Sequence, residues 1–349
     1  MRQGHHAIIL AAMIFGPTPA FCHHSPSAYD LRPGAGLELT GTVTRVQWAN
    51  PHVYVYLETQ SQDSENAVWR IEVDAPSNME RHGWHRDSLV AGERVTAQVF
   101  PSRNAARKSA KLFGVLKADG TRLSYIDPAL SDAAPGERAE NLAGTWAPDP
   151  LRPDSTVARL QEQLIRMSFG LDADVPLTEK GMEAVRSFTD EASPTVDCIP
   201  RTAPSITMYS SGLHSIEVRD DGVMLRENWF GTERTVHLDV ASHDGAPYTL
   251  HGHSIGRREG DVLVVDTARF SEHREGLFNK LPSSREKRLV ERFELNPDGR
   301  SLKYSWELTD PEYLTEPVSG ENHWAYRPDL EFSIVECSLD SARQFLDED

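Results

Sequence analysis

Apolar and polar residues alternate with a period of two over much of the chain, which predicts a protein built from half-buried strands. Residues 37–48 carry the pattern first, and Ala49-Asn-Pro51 ends it, because proline cannot donate to a β-ladder. Residues 52–58 and 67–73 repeat it. The period then changes: 77–83 and 86–90 are spaced as short helical turns, with Ser77 placed to cap the first. Alternation returns at 93–100 and 111–117. Three strands, a short helix and two strands is the order of a five-stranded OB-type barrel.

A second β-rich unit follows. Residues 127–140 lack any period and are rich in Pro, Ala and acid, as expected of a linker. Gly144-Thr-Trp146 is similar to the opening strand of lipocalin-like barrels. Two amphipathic helices are predicted at 157–169 and 177–188. Hairpins are predicted over 213–230, turning at Asp220-Asp-Gly222, and over 288–308, turning at Asn296-Pro-Asp-Gly299. A lone strand is expected at 234–240, a hairpin over 251–270, and a closing strand at 332–336. The fold class is therefore all-β with minor helix: an OB-like five-stranded barrel followed by a lipocalin-like antiparallel barrel or sandwich. The expected boundaries are a signal segment at 1–22, an OB-like domain at 23–130, a linker at 131–141 and a lipocalin-like domain at 142–349. Barrels of about eight strands can enclose a small ligand.

Trp48-Ala-Asn-Pro-His52 follows a Thr40-Gly-Thr-Val43 strand, with Gly83-Trp84, Arg86-Asp-Ser-Leu89 and His23-His-Ser25 elsewhere. This set resembles a widespread family of secreted bacterial proteins of unknown function. The resemblance implies a small β-barrel and export and assigns no catalytic residue; His85 stands where a hydroxyl residue is more usual. In the second unit, Gly252-His-Ser-Ile-Gly-Arg257 and Glu259-Gly-Asp-Val-Leu-Val-Val-Asp-Thr267 resemble a motif of uncharacterised exported bacterial proteins. That likeness runs on through Val290-Glu-Arg292 and Thr309-Asp-Pro311 and also carries no assigned chemistry.

Charge narrows the partners. With 53 acidic and 36 basic residues the net charge is -17, which repels phosphate backbones, so no nucleic-acid partner is expected. Residues 7–15 form an apolar run behind Arg2, too short to span a bilayer, as in a cleaved secretory signal. Periplasmic or secreted location follows as an expectation, with no integral membrane association; cleavage after Ala20 and after Cys22 both fit the small-x-small rule. Cys198 and Cys337 are then expected to pair, since exported chains meet an oxidising compartment. The sequence assigns no oligomeric state.

No nucleophile elbow, zincin helix, P-loop or dinucleotide fingerprint occurs in a usable context. The polarity of the 251–270 hairpin singles out His253, Arg257 and Asp266, with Glu291 joining them in the predicted barrel. With a two-residue turn, either Glu259-Gly260 or Gly260-Asp261, His253 and Asp266 share a face; a three-residue turn separates them. Trp229, Trp306 and Trp324 are the expected lining. The expected function is binding of a small hydrophobic or aromatic ligand without a cofactor. The alternative is a cofactor-independent lyase or isomerase in the same pocket, and the plain reading of the polar set is a buried ion-pair network. A third possibility is copper held by a mature N-terminal His23 with His24 or His52.

Overall fold

The structure is a computed structural model that describes residues 28–32, 34–60, 66–124, 137–148, 175–209, 212–344 and 346. The expected signal segment and the helix at 157–169 lie outside the described residues.

Six strands form the first sheet: β1 (Leu37–Gln47), β2 (Tyr54–Thr59), β3 (Ala67–Glu72), β4 (Arg94–Pro101), β5 (Ser109–Lys117) and β6 (Arg122–Leu123). Their order is β3-β2-β1-β4-β5-β6, and a parallel pairing of β3 with β5 closes five of them into the expected OB-like barrel. A short helix, Pro76–Arg81, joins β3 to β4. Ser77 does not cap it. Pro76 takes the first helical position, where its missing N–H costs nothing, so the cap falls on Ala75 and Ser77 is buried inside the first turn. Residues 86–90 are turns rather than helix. Alternation places Val43, Val55, Leu57, Ile71, Val95, Val99 and Leu112 inside, packed with Met79 and Trp84.

The second barrel is closed by nine strands. They are β7 (Gly144–Pro148), β8 (His214–Val218), β9 (Gly222–Glu227), β10 (Thr232–His237), β11 (His253–Glu259) and β12 (Val262–Ala268), then, past the separate β13 (His273–Phe278) and β14 (Leu281–Ser283), β15 (Arg288–Leu295), β16 (Ser301–Thr309) and β17 (Val318–Tyr326). Neighbours are antiparallel except β10 and β11, which run parallel across a long connection. The hairpin of β13 and β14 adds Leu277, Phe278 and Leu281 to the barrel's core at the end where β15 begins. Lys287, fully buried there, donates to Gly276 O (2.5 Å), Ala203 O (2.6 Å) and Thr202 Oγ1 (2.7 Å) and lies over the Phe270 ring. The predicted second helix forms as Glu179–Ser187, with Thr178 Oγ1 accepting from Gly181 N.

The closing strand is not 332–336. It is β17, whose inward positions Gly320, Asn322 and Trp324 break the apolar alternation that marks a strand in sequence. Residues 333–344 instead cross to the first barrel. Val335 enters that barrel's core, Asn50 Nδ2 donates to Val335 O (2.6 Å), and Asn50 bridges to Cys337. Ser341 Oγ bonds His52 O (2.7 Å), and Gln344 Nε2 reaches Gln47 Oε1 and Tyr56 OH. The Cys198–Cys337 disulfide is present, with Cα atoms 5.7 Å apart. It ties a loop of the second unit to the segment that grips the first.

Candidate functional site

Strand phase decides which polar side chains enter the second barrel. The β11–β12 hairpin turns at Gly260-Asp261: Glu259 pairs with Val262, and Gly260 takes φ +63°, which glycine adopts without steric cost. His253 therefore opposes Ala268 and shares a face with Asp266. That face is the outer one. Ser254, Leu263, Val265 and Thr267 are the buried, inward positions, and the expected interior set of His253, Arg257, Asp266 and Glu291 does not assemble.

Arg257 is exposed and pairs with Glu259 at 2.8 Å. Asp266 takes a bidentate contact from Arg288, at 2.9 and 2.5 Å. His253 bonds His243 through Nδ1 atoms 2.9 Å apart and stacks on His237; burial, then the two histidines, push its pKa down. Val262-Leu-Val-Val265 is apolar on both faces, so its phase could not be read from sequence.

Glu291 does face inward and is fully buried. Arg234 crosses the interior from β10 and grips it with two bonds, Nη1 to Oε2 (2.5 Å) and Nη2 to Oε1 (2.8 Å). Burial works against the guanidinium charge, but Glu291 outweighs it and raises the Arg234 pKa. Tyr304 OH donates to Glu291 Oε1 (2.8 Å); burial and then that carboxylate push the phenol far up, so it stays protonated. Arg234 also reaches Thr267 Oγ1 (3.2 Å), which bonds Ser254 Oγ (2.8 Å).

A ring stack continues this layer. Tyr304 lies on Trp324 at 5.1 Å, and Trp324 lies on His214 at 3.9 Å with planes 10° apart. His214 and Glu227 are directly opposed on β8 and β9 and bonded through Nδ1 and Oε2. A carboxylate only accepts, so His214 Nδ1 carries the proton. In the neutral ring Nε2 is left with its lone pair. Among the described residues, His214 Nε2, Asn322 Oδ1, Trp306 Nε1 and Trp324 Nε1, all on inward positions, have no hydrogen-bond partner. A Cβ at Gly320 would sit 2.5 Å from the Trp306 indole, so glycine is what lets that ring lie flat against β17.

Beyond the network, His251 and His273 are driven down to about 4, first by burial and then by the charges of Arg234 and Lys287 respectively. Glu275, fully buried in β13, accepts from Ser193 Oγ (2.5 Å) and Arg201 (3.3 Å). Surface grooves of about 590 and 580 Å³ lie elsewhere, beside the 179–187 helix and over the outer face of β15–β17. The first is lined largely by charged residues and the second by charged and hydroxyl side chains.

Of the three expected tryptophans, Trp306 and Trp324 line the interior. Trp229 sits in the turn between β9 and β10, edge-on to Phe230 at 4.7 Å, with Arg201 near its ring. His23 and His24 lie outside the described residues, and His52 Nδ1 is 3.3 Å from Glu72 Oε1, an acid shared with Lys111 and Tyr29. No group of three or more His, Cys, Asp or Glu among the described residues is arranged to hold a metal. No helix among them is long and apolar enough to cross a membrane.

His214, Glu227, Arg234, Tyr304 and Asn322 were not singled out by motif. Their signal was a polar residue in phase with an apolar face: His214 with Ile216, Glu227 with Val223 and Leu225, Arg234 with Val236, and Tyr304 with Leu302 and Leu308. No curated protein matches the chain. Residues 12–111, which include the first barrel through the start of β5, match a family of unknown function (DUF6152), and this likeness stops short of the second barrel and its network.

Proposed function

We propose that the second barrel binds a small, mainly apolar or aromatic molecule in its interior, and that the protein does so after export. The observation that carries this is the set of buried, unpartnered atoms, His214 Nε2, Asn322 Oδ1, Trp306 Nε1 and Trp324 Nε1, among aromatic rings. A buried polar atom without a partner costs roughly 1–3 kcal/mol, and a ligand bearing a hydroxyl or carbonyl relieves it. Its body would lie among the buried rings of Tyr304, Trp306 and Trp324, which would have to part around it. The charged pair Arg234–Glu291 is already satisfied and fixes the surrounding rings. Export is supported by the disulfide and by the likeness of the 252–267 motif to uncharacterised exported proteins.

Titration with 2-naphthol, read by quenching of tryptophan emission, tests the binding. Saturable one-to-one binding is expected, weakened at least about tenfold by Trp324→Leu, since losing one buried hydrogen bond and a ring contact exceeds the roughly 1.4 kcal/mol that a factor of ten requires. Arg257→Ala, on the outer face, should leave it unchanged. Absence of saturation, or equal affinity in Trp324→Leu, overturns the reading.

A further inference from the structure

We propose that His243 and His253 form an acid-released latch that pins the long connection between β10 and β11 to the outer face of the second barrel. The latch is independent of the ligand reading above. The connection, residues 238–252, runs from the end of β10 to the start of the parallel β11. His243 lies near its middle and meets His253, the first residue of β11, through Nδ1 atoms 2.9 Å apart, with the two rings nearly perpendicular at 84°. Among the described residues, His243 is the one member of 239–247 that bonds outside that stretch: its ring holds His253 and its carbonyl accepts from Arg269 Nε (3.3 Å). The other bonds of the stretch are internal, Asp244 N to Ser242 Oγ and Ala246 N to His243 O. Tyr248 and Thr249, further along, are held separately by the Arg269 side chain and carbonyl.

Two ring nitrogens this close hold one hydrogen between them. An imidazolium carries a hydrogen on both nitrogens, so charging both rings sets two N–H groups against each other at contact distance and adds the repulsion of like charges. The closed pair therefore accepts at most one extra proton, and the opened pair accepts two. The groups facing the pair do not relieve a second charge. His237, from β10, stacks on His253 with centroids 5.1 Å apart and adds a third imidazole. Asp266, from β12, has Oδ1 3.8 Å from His243 Nε2, but Arg288 of β15 already grips both its oxygens, at 2.9 and 2.5 Å. Arg269 brings a positive charge to the His243 carbonyl. Asp239 and Asp244 of the connection are exposed, and Asp266 is the carboxylate among the described residues within ion-pair reach of either ring. The depressed pKa of His253, set first by burial and then by His243 and His237, has the same sign. A free imidazole takes its proton near pH 6.5, so the latch is whole above that value and weakens below it by about tenfold per unit for the one proton it excludes. His251 and His273 protonate only near 4, so the connection is released before the barrel loses their stabilisation.

Limited proteolysis of the full-length protein by proteinase K tests the latch, with nicks inside 239–247 located by mass spectrometry. The nicking rate is divided by that of the isolated 236–250 peptide at the same pH, which cancels the protease's own pH dependence. Between pH 7.5 and 5.0 this ratio should rise by about 30-fold in wild type, the weight of one excluded proton over that interval, while the circular dichroism spectrum stays unchanged. His243→Gln and His253→Gln each keep a hydrogen-bonding side chain that takes up no second proton, and each should leave the ratio flat with pH. Should one variant not fold, the other decides. A wild-type ratio that does not rise, or a rise of the same size in the variants, overturns the latch. Nicking at pH 5.0 that accompanies loss of the dichroism spectrum is global unfolding and overturns it as well.

Discussion

The first barrel fills its interior with Val43, Val55, Leu57, Ile71, Val95, Val99 and Leu112, and it places its ion cluster of Glu72, Lys111 and His52 in the opposite strand phase. The second barrel does the reverse, running Arg234, Glu291, Tyr304, Trp324, His214 and Glu227 through its centre. Replacing such a buried charge network with apolar residues of similar volume is often neutral or stabilising, so folding alone does not call for it. Two closed barrels in one chain, under the same demands of packing, thus place their charge in opposite ways, and the proposed site falls in the one that buries it. The Trp48-Ala-Asn-Pro-His52 stretch on the first barrel has a structural use: the Asn50 side chain and the His52 carbonyl hold the returning segment at 335–341.

Severing the link between the barrels should have the largest effect. Cys198 and Cys337 are 139 residues apart, and a cross-link closing such a loop contributes about 5 kcal/mol in the chain-entropy description. Cys337→Ser should therefore lower the urea midpoint strongly and make the 333–344 segment protease-sensitive; an unchanged midpoint would show that the barrels need no tie. Next comes the charge at the centre of the second barrel. Glu291→Gln strands Arg234 and should cost about 3–5 kcal/mol, whereas Glu72→Gln in the first barrel leaves Lys111 near water and should cost far less. Equal losses would erase the contrast.

Acid should also part the two barrels. His251 and His273 titrate near 4 when folded and near 6.5 when unfolded, so the unfolded chain binds more protons between those values. Their stabilisation is whole above pH 6.5 and is lost as pH falls toward 4, at most about 3 kcal/mol each. Glu72 behaves differently. Burial raises its pKa, but Lys111 and His52 outweigh it and hold the carboxyl well below its usual 4.5, so its stabilisation is present above 4.5 and fails only at lower pH. Hydrogen exchange measured between pH 7 and 4 should show β8–β17 losing protection before β1–β5; simultaneous loss would contradict this. The smallest effect belongs to the outer face: Arg257→Ala should change stability by no more than about 0.5 kcal/mol in a thermal melt.

The fold was legible wherever one strand face is apolar and the other polar, as in β1, β15 and β16. It was illegible where a strand departs from that rule. β17 carries Gly320 and Asn322 inward, so its pattern is weaker than that of 332–336, which lies outside the barrel. The β13–β14 hairpin is hidden likewise, because it buries the polar residues His273, Glu275 and Ser283, and Glu275 is held by Ser193 and Arg201, both distant in sequence. For the site, Glu291 and Trp306 are readable as inward positions of the 288–308 hairpin, whereas Trp324 lies on the strand whose pattern is broken. His253, Arg257 and Asp266 drew attention through polarity, yet polarity on a half-buried strand marks its outer face unless it falls in phase with the apolar residues. His214 and Arg234 do fall in that phase; the partner of His214, Glu227, lies across a single hairpin, whereas the partner of Arg234, Glu291, lies three strands away and depends on barrel closure, which no local pattern displays.

A crystal structure of the protein grown with 2-naphthol compares the two interiors directly. The expected result is one molecule inside the second barrel, its oxygen within hydrogen-bond distance of His214 Nε2 and its rings among Tyr304, Trp306 and Trp324, with the first barrel empty. Density only on the outer face of β11–β12, in the surface grooves or against the first barrel would contradict the placement of the site.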